Sequence, residues 1–290
     1  MKVDLCMWAK NGERFLPYVL RTIDQVIPEE SICRRIFVDD HSIDDSRNIA
    51  KDFNWEVFIN PKSGIGSGAN EALKHVKQNY IVTVEQDVLL NKQWWDKITP
   101  QILSGARILT VEGLRIATNK TVRIMEQLEC ADKYHLLKNF RGTISVDPRL
   151  EALVSFSLDN NIWNVKNLKS LGGFPNYPIS TDRRLKALAL KNGYEWKVDP
   201  NVVSLHLRGG IIDYNRHHRT RCRLEECTPN DYLLNYTFSE LIWLFLVSPF
   251  GGIRLVLKTK HPNMLFAHPL QRLGAIDQFA LRRRVCSQRM

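Results

Sequence analysis

The sequence holds no run of about 20 consecutive apolar residues, the length a membrane-spanning helix needs. The uncharged stretch at 241–253 stops at thirteen residues and is interrupted by Pro249 and Gly251-Gly252. Cysteine is sparse, six in 290 residues with no paired framework, which excludes a disulfide-stapled secreted scaffold. The first four residues show no signal-peptide pattern, so the expected setting is the cytoplasm with reduced thiols. The chain lacks repeats and low-complexity linkers. Its Gly-rich run at 63–68 lacks the Gly-Lys-Ser/Thr of a P-loop and fails the Gly-x-Gly-x-x-Gly spacing. His217, His218, Cys222 and Cys227 lie close together without a Cys-x-x-Cys pair and fit no common structural zinc site. Acids run short: 31 Asp and Glu stand against 41 Lys and Arg, for a net charge of +10. Such an excess favours an anionic partner, whether nucleotide phosphate, nucleic acid or an acidic membrane face. It is concentrated in residues 254–290, where eight Lys and Arg accompany a single acid, Asp277.

What is present is an alternation of strand and helix. Residues 3–9 read as a buried strand broken by Asn11-Gly12. Residues 13–27 have helical spacing through Phe15, Leu16, Val19, Leu20 and Ile23. A second strand follows at 35–39, then a short helix capped by Asp44, a third strand at 55–59, a Gly-rich turn opening a helix over 69–76, a fourth strand at 80–84 and a helix near 94–103. Short links between alternating elements predict an α/β fold, an open and mostly parallel sheet with helices on both faces. After Arg107 the pattern loosens. Residues 122–137 are predicted helical, 152–165 extended, 171–175 a turn and 182–191 helical. Two short strands are expected at 196–198 and 202–207. The simplest division is one domain over 1–212 and a C-terminal helical extension over 213–290.

Two of the strands end in acid. Ile36-Phe37-Val38 runs into Asp39-Asp40-His41-Ser42, and Ile81-Val82-Thr83-Val84 runs into Glu85-Gln86-Asp87. Open α/β sheets bind ligands outside the carboxyl ends of their strands. Acids gathered there need a cation, a ligand hydrogen bond or a shared proton. The first tip suggests a nucleotide and the second a metal, because Glu85 and Asp87, one residue apart on a strand end, point to the same side.

Taken in order, these residues resemble the family 2 glycosyltransferases, which have the GT-A fold. Asn11-Gly12-Glu13 stands where that family has Asn-Glu, and Val38-Asp39-Asp40-His41-Ser42-Ile43-Asp44 resembles its Val-Asp-Asp-x-Ser-x-Asp. Gly66-Ser67-Gly68-Ala69-Asn70 resembles its Gly-rich turn, and Glu85-Gln86-Asp87 its metal-binding Asp-x-Asp. Gly172-Gly173-Phe174, Thr181-Asp182, Gly193-Tyr194 and His206 fall where it has Gly-Gly-Phe, an acid usually preceded by Glu, Gly-Tyr and His. The likeness spans about residues 3–208. Glu85 in place of Asp and Thr181 in place of Glu are departures, and the Gln-x-x-Arg-Trp of processive members is absent.

The resemblance implies an inverting transferase using a nucleotide-diphosphate sugar, expected to be a UDP-sugar, with a nucleotide-sugar half over about 1–111 and an acceptor half over 112–212. It implies that Asp39 and Asp40 hold the nucleoside, helped by Asn11, Glu13, Gly66, Asn70, Glu85 and Arg208. It implies Mn²⁺ or Mg²⁺ on Asp87 and His206, and Asp182 as the catalytic base. Plainer readings stand beside several of these. Asp39 can simply cap the following turn, Asp182 can be a helix N-terminal acid, and a lone His206 can be a core residue. Arg216, Arg219, Arg221 and Arg223, with Arg208, suit a loop that closes over a diphosphate, or a solvated basic loop. The 241–253 run is either a packing helix or, with the basic tail, an interfacial segment on an anionic membrane that carries a lipid-linked acceptor. The rival functions are a nucleotidyltransferase and a nucleic-acid-binding protein. The first would carry a Gly-rich basic loop where this chain has Asn11-Gly12-Glu13-Arg14. The second is disfavoured because the charge is concentrated in the tail and no RNA-binding aromatic motif is present, so no nucleic-acid partner is expected. Glu85 leaves open a third, an inactive scaffold.

Overall fold

A computed structural model of the chain describes residues 1–120, 122–123, 144–145, 157–177, 181–207, 209–210, 237–259 and scattered positions between 262 and 276. In it β1 (Val3–Ala9), α1 (Leu16–Val26), β2 (Ile32–Asp39), α2 (Ser46–Asp52), β3 (Glu56–Ile59), α3 (Ile65–His75), β4 (Tyr80–Thr83), β5 (Val88–Leu89) and α4 (Trp94–Ile102) follow one another. The period-2 alternation of the strands sorts their side chains to two faces. Leu5 and Met7 of β1, Phe37 of β2 and Val82 of β4 pack with Leu16, Leu20 and Ile23 of α1 and with Trp94 and Ile98 of α4. Cys6, Ile36, Val38 and Ile81 turn the other way, onto Ala69, Ala72 and Leu73 of α3. Burial in that second core pushes the Cys6 thiol up, which leaves it an inert packing residue.

The second half adds β6 (Ile108–Ala117), β7 (Ile144–Ser145), β8 (Asn161–Asn164), α5 (Val165–Ser170), α6 (Thr181–Lys191), β9 (Glu195–His206) and α7 (Phe238–Thr259). Among the described residues these strands make one nine-stranded sheet of order β3-β2-β1-β4-β8-β6-β9-β5, with β7 also on β9. Pairing is parallel among the first four strands and between β6 and β9, and antiparallel where β8 joins β4 and β6 and where β5 and β7 join β9. Helices α1 and α4 cover one face, and α3, α5 and α6 the other. Edge-to-face rings of Trp163 against Phe174 and Trp196 anchor the second face, with centroids 5.5 and 5.1 Å apart.

Several elements differ from expectation. The segment after Arg107 is a ten-residue strand, β6, whose pattern is hidden by Glu112, Gly113 and Arg115. The two expected strands around residue 200 are one strand, β9, with a bulge opposite Gly113 and Leu114 that absorbs Pro200. The Gly-rich run is not a turn ahead of a helix. From Ile65 onward it is the first turn of α3, after Gly64 at φ 112. Pro249 and Gly251-Gly252 do not interrupt the C-terminal run, which lies inside the continuous 22-residue α7. A proline there removes the hydrogen bond to the carbonyl four residues earlier, and the Ser248 hydroxyl donates to that Phe245 carbonyl instead, at 2.6 Å. A reciprocal box starts the helix: Thr237 N–H donates to Glu240 at 2.6 Å and Glu240 N–H to the Thr237 hydroxyl at 3.3 Å. Apart from Val122 and Arg123, the helix expected over 122–137 lies outside the described residues. The chain forms two compact units, Met1–Thr118 with Cys130–Leu207, and Asn119–Glu129 with Arg208–Met290.

Glu112 sits in the middle of β6 with 3% of its surface exposed. Its carboxylate accepts from the Ser157 N–H at 3.3 Å and the Asn161 amide at 3.2 Å. Burial drives its pKa well above the ordinary 4.5, and the nearby Asp159 adds to this while Ser157, Arg115 and Asn161 oppose it. The folded protein then keeps a proton that the unfolded chain releases, so stability falls as pH rises from about 4.5 toward the raised folded value. Glu112→Gln removes that titration. Thermal denaturation across pH should find the variant melting higher than wild type by at least ~2 °C at pH 8 and level with it below pH 4. Parallel profiles would acquit Glu112.

Candidate functional site

The carboxyl ends of β1, β2 and β4 meet on one edge of the sheet. At the end of β2, Asp39 is fully buried and both carboxylate oxygens accept from the Ser42 N–H, at 3.1 and 3.3 Å. It is thus the cap of the turn, with Arg47 3.7 Å away. Asp40 faces partly outward. Its carboxylate accepts from the Asn60 amide at 2.7 Å and the Gly64 N–H at 3.2 Å, and lies 3.8 Å from the Lys10 ammonium. Asn11, at φ 51, accepts from the Ile43 N–H at 2.9 Å. Glu13 accepts from the Asp45 N–H at 3.1 Å while its own N–H donates to Asp44 at 3.0 Å. The side chains of Asn11 and Glu13 therefore clamp the turn after β2, which orients Asp40.

Gly66 and Asn70 do similar work for a more distant loop. The Gly66 N–H donates to the Tyr177 carbonyl at 2.9 Å, and a β-carbon there would lie 2.2 Å from the Pro175 carbonyl. Asn70 grips Phe174 twice, donating to its carbonyl at 2.6 Å and accepting from its N–H at 2.9 Å. The loop so held leads into α6, where Asp182 lies in the first turn. Thr181 beside it donates to the Tyr177 carbonyl at 3.1 Å, and the Arg184 guanidinium sits 3.4 Å over the Tyr177 ring. Asp182 shares no hydrogen bond or ion pair with the other candidate residues among the described ones.

Glu85, Asp87 and His206 are brought together, with one ligand atom of each within 4.8 Å of the others. Strand pairing does this: β5 lies antiparallel to β9 with Val88 opposite His206, and the Leu207 N–H donates to the Asp87 carbonyl at 2.7 Å. His206 is 2% exposed, and its Nε2 lies 3.2 Å from the Asp87 carboxylate. Two carboxylates and an imidazole suit a hard divalent cation, with the imidazole favouring Mn²⁺ over Mg²⁺. Gln86, between the acids, points the other way. Its amide donates to the Lys10 carbonyl at 3.0 Å and accepts from the Lys10 N–H at 2.9 Å, tying the β4 tip to the β1 tip.

Two residues went unread in the sequence. Arg115 of β6 lies 3.3 Å from Glu85 and 2.8 Å from Asp159, which is 1% exposed. The only sequence signal of Arg115 is a charged residue in a strand that was itself hidden, and Asp159 lies just ahead of β8 with no motif around it. Arg208, the Arg216–Arg223 cluster, and His217, His218, Cys222 and Cys227 lie outside the described residues.

The sequence model of glycosyl transferase family 2 matches residues 4–158. No curated protein sequence matches the chain significantly. Among solved structures, TarS 1–349 of S. aureus in complex with UDP-GlcNAc is 15% identical, with 97% of this chain and 92% of that one covered at a TM-score of 0.58. The mannosyltransferase PcManGT of Pyrobaculum calidifontis, with GDP-Man and Mn²⁺, is also 15% identical, covering 99% and 75% at 0.58. Glucosyl-3-phosphoglycerate synthase of Mycobacterium tuberculosis, with Mn²⁺ and UDP, is 16% identical, covering 78% and 81% at 0.51. At such identities the likeness is one of fold.

Arg115 compensates the buried Asp159, so its removal leaves a carboxylate without its cation. Arg115→Met should destabilise the protein by about 3 kcal/mol, and adding Asp159→Asn should recover most of that. Chemical denaturation of these two variants and of Asp159→Asn alone measures it; costs that simply add in the double variant would mean the pair is not coupled.

Proposed function

The chain belongs to glycosyl transferase family 2 and is a glycosyltransferase with a GT-A fold, and we propose that it moves a sugar from a nucleoside-diphosphate sugar to a hydroxyl or phosphate acceptor with inversion. The observation that carries the reading is the convergence of Glu85, Asp87 and His206 at the sheet edge that also bears Asp40. Asp40 and Asp39 serve the nucleoside, Asp40 by accepting from base or ribose donors and Asp39 by fixing the turn. Asn11, Glu13, Gly66 and Asn70 shape this half of the site by holding the loops around it, and Arg208 adds a cation for the diphosphate. The catalytic domain spans 1–212, and residues 213–290 form the extension.

The acceptor oxygen attacks the anomeric carbon, its proton passes to Asp182, and the bond from that carbon to the diphosphate breaks with its electron pair on the departing nucleoside diphosphate. Mn²⁺ or Mg²⁺ held by Asp87 and His206 would neutralise charge on the leaving group. Glu85, 3.3 Å from Arg115, completes the group beside them. TarS with UDP-GlcNAc and the mycobacterial synthase with UDP support a uridine donor, and PcManGT with GDP-Man makes guanosine the second reading.

Thermal-shift measurements with UDP- and GDP-sugars, each with Mn²⁺ and with chelator, test donor and metal together, since a bound ligand stabilises by mass action. The wild type should be stabilised by a UDP-sugar with Mn²⁺, and Asp87→Ala should lose both that metal-dependent shift and transfer while keeping its own melting temperature. Wild-type transfer by Asp87→Ala in chelator would remove the metal from the reaction. Asp182→Asn keeps the shape but cannot accept the proton. Its kcat should fall by ~10²-fold or more with donor affinity unchanged; loss of affinity at normal kcat would make Asp182 a binding residue.

A further inference from the structure

Helix α7 turns an apolar face to solvent. Trp243, Leu246, Phe250, Ile253 and Leu257 are between 48% and 75% exposed. They recur at intervals of three, four, three and four residues, which on an α-helix makes a single stripe about 21 Å long. The opposite face is the packed one: Leu241 is 1% exposed, Ser248 is 6% exposed, and a β-carbon on Gly252 would lie 2.3 Å from the Leu265 carbonyl. An exposed apolar patch of this kind marks a docking surface rather than an ordinary protein surface.

Charge identifies the occupant. The helix carries no charge from Leu241 to Ile253, and its two cations, Arg254 and Lys258, come at the end that leads into the basic tail. Residues 254–290 hold eight Lys and Arg against Asp277 alone. A second copy of α7 laid alongside in parallel would bring these cations together with no acids beside them, and an antiparallel copy would set only the single acid Glu240 against them. An anionic lipid surface supplies both halves of the match, acyl chains for the stripe and headgroup phosphates for the tail. Trp243 and Phe250 are residue types that settle at the boundary between the two. No described helix is long and apolar enough to cross a membrane, and an apolar stripe on one face of a helix suits a position along the surface. We propose that α7 docks this protein on an anionic lipid bilayer, through Trp243, Leu246, Phe250, Ile253 and Leu257. The docking stands apart from the transfer chemistry; joined to the reading above, it puts the enzyme on the surface that would carry a lipid-linked acceptor.

Trp243 makes the test specific, because it is the one exposed tryptophan of seven. The full-length protein should co-sediment with phosphatidylglycerol-containing vesicles at low salt and much less with phosphatidylcholine alone. Added salt should weaken binding without abolishing it, since charge is screened within about 10 Å at 0.1 M and apolar contact is not. Brominated acyl chains should quench tryptophan emission in the wild type. Trp243→Ser/Phe250→Ser, both at exposed positions, should bind at least tenfold more weakly, while donor-induced thermal shifts stay as in wild type. A protein that remains in the supernatant with anionic vesicles at low salt overturns the proposal. So does vesicle binding without quenching, which would credit the tail alone, or a dimer in sedimentation velocity that the double substitution dissociates, which would make the stripe a subunit contact. A failed donor shift with intact vesicle binding would instead count against the transferase chemistry and leave the docking surface standing.

Discussion

The register of one strand governs this protein. β9 pairs with β6 along one edge and with β5 along the other, and both pairings converge on His206: Ala117 lies opposite it on β6 and Val88 on β5. A slip of one residue would turn His206 to the other face of the sheet, away from Asp87. The bulge opposite Gly113 and Leu114 sets that register, because it takes up Pro200 before the strand reaches its last turnover of side chains. Gly113 permits the close approach there, since a β-carbon would lie 2.7 Å from the Val202 carbonyl. The cluster of candidate ligands is therefore a consequence of backbone pairing between segments more than a hundred residues apart.

The same edge must also contain its own charge. Asp39, Asp40, Glu85, Asp87 and Asp159 lie on or beside this edge, and each has an answer: the Ser42 N–H and Arg47 for Asp39, Asn60 and Lys10 for Asp40, Arg115 for Glu85 and Asp159, and His206 for Asp87. These partners come from different elements, so the charge balance also ties the edge together. Gln86 adds a neutral strap between the β1 and β4 tips. The result is a set of carboxylates held in place before any ligand arrives, the condition under which electrostatic stabilisation is most effective.

The first hundred residues were legible because their local patterns agree with their final environments. Apolar alternation in Val3–Ala9 and the 3.6-residue spacing in Leu16–Val26 correspond to faces that are buried. β6 escaped because Glu112 and Arg115 serve partners 30 to 49 residues away in sequence, and a charge inside a strand reads locally as a loop. β9 was split in two because proline is a local signal and the bulge that accommodates it is not. The Gly-rich run was read as a turn because glycine is a poor helix former, whereas here its lack of a side chain lets α3 press against the 175–177 backbone. The acids at the strand tips stood out by position alone. What holds them, Arg115, Asn60 and Gln86, carries no motif and is defined only by folding.

The grip of Asn70 on Phe174 has a mechanical consequence. From Phe174 to Thr181 the chain has seven residues, which can span at most about 25 Å even when fully extended. The helix that bears Asp182 is thus leashed at a fixed point on α3, the element that starts beside Asn60 and Asp40. Any displacement of that helix must be accommodated within this short length, and the entropy of so short a leash is small. Asp182 and the loops around Asp40 are in this sense two ends of one tether, so that motion at either is felt at the other.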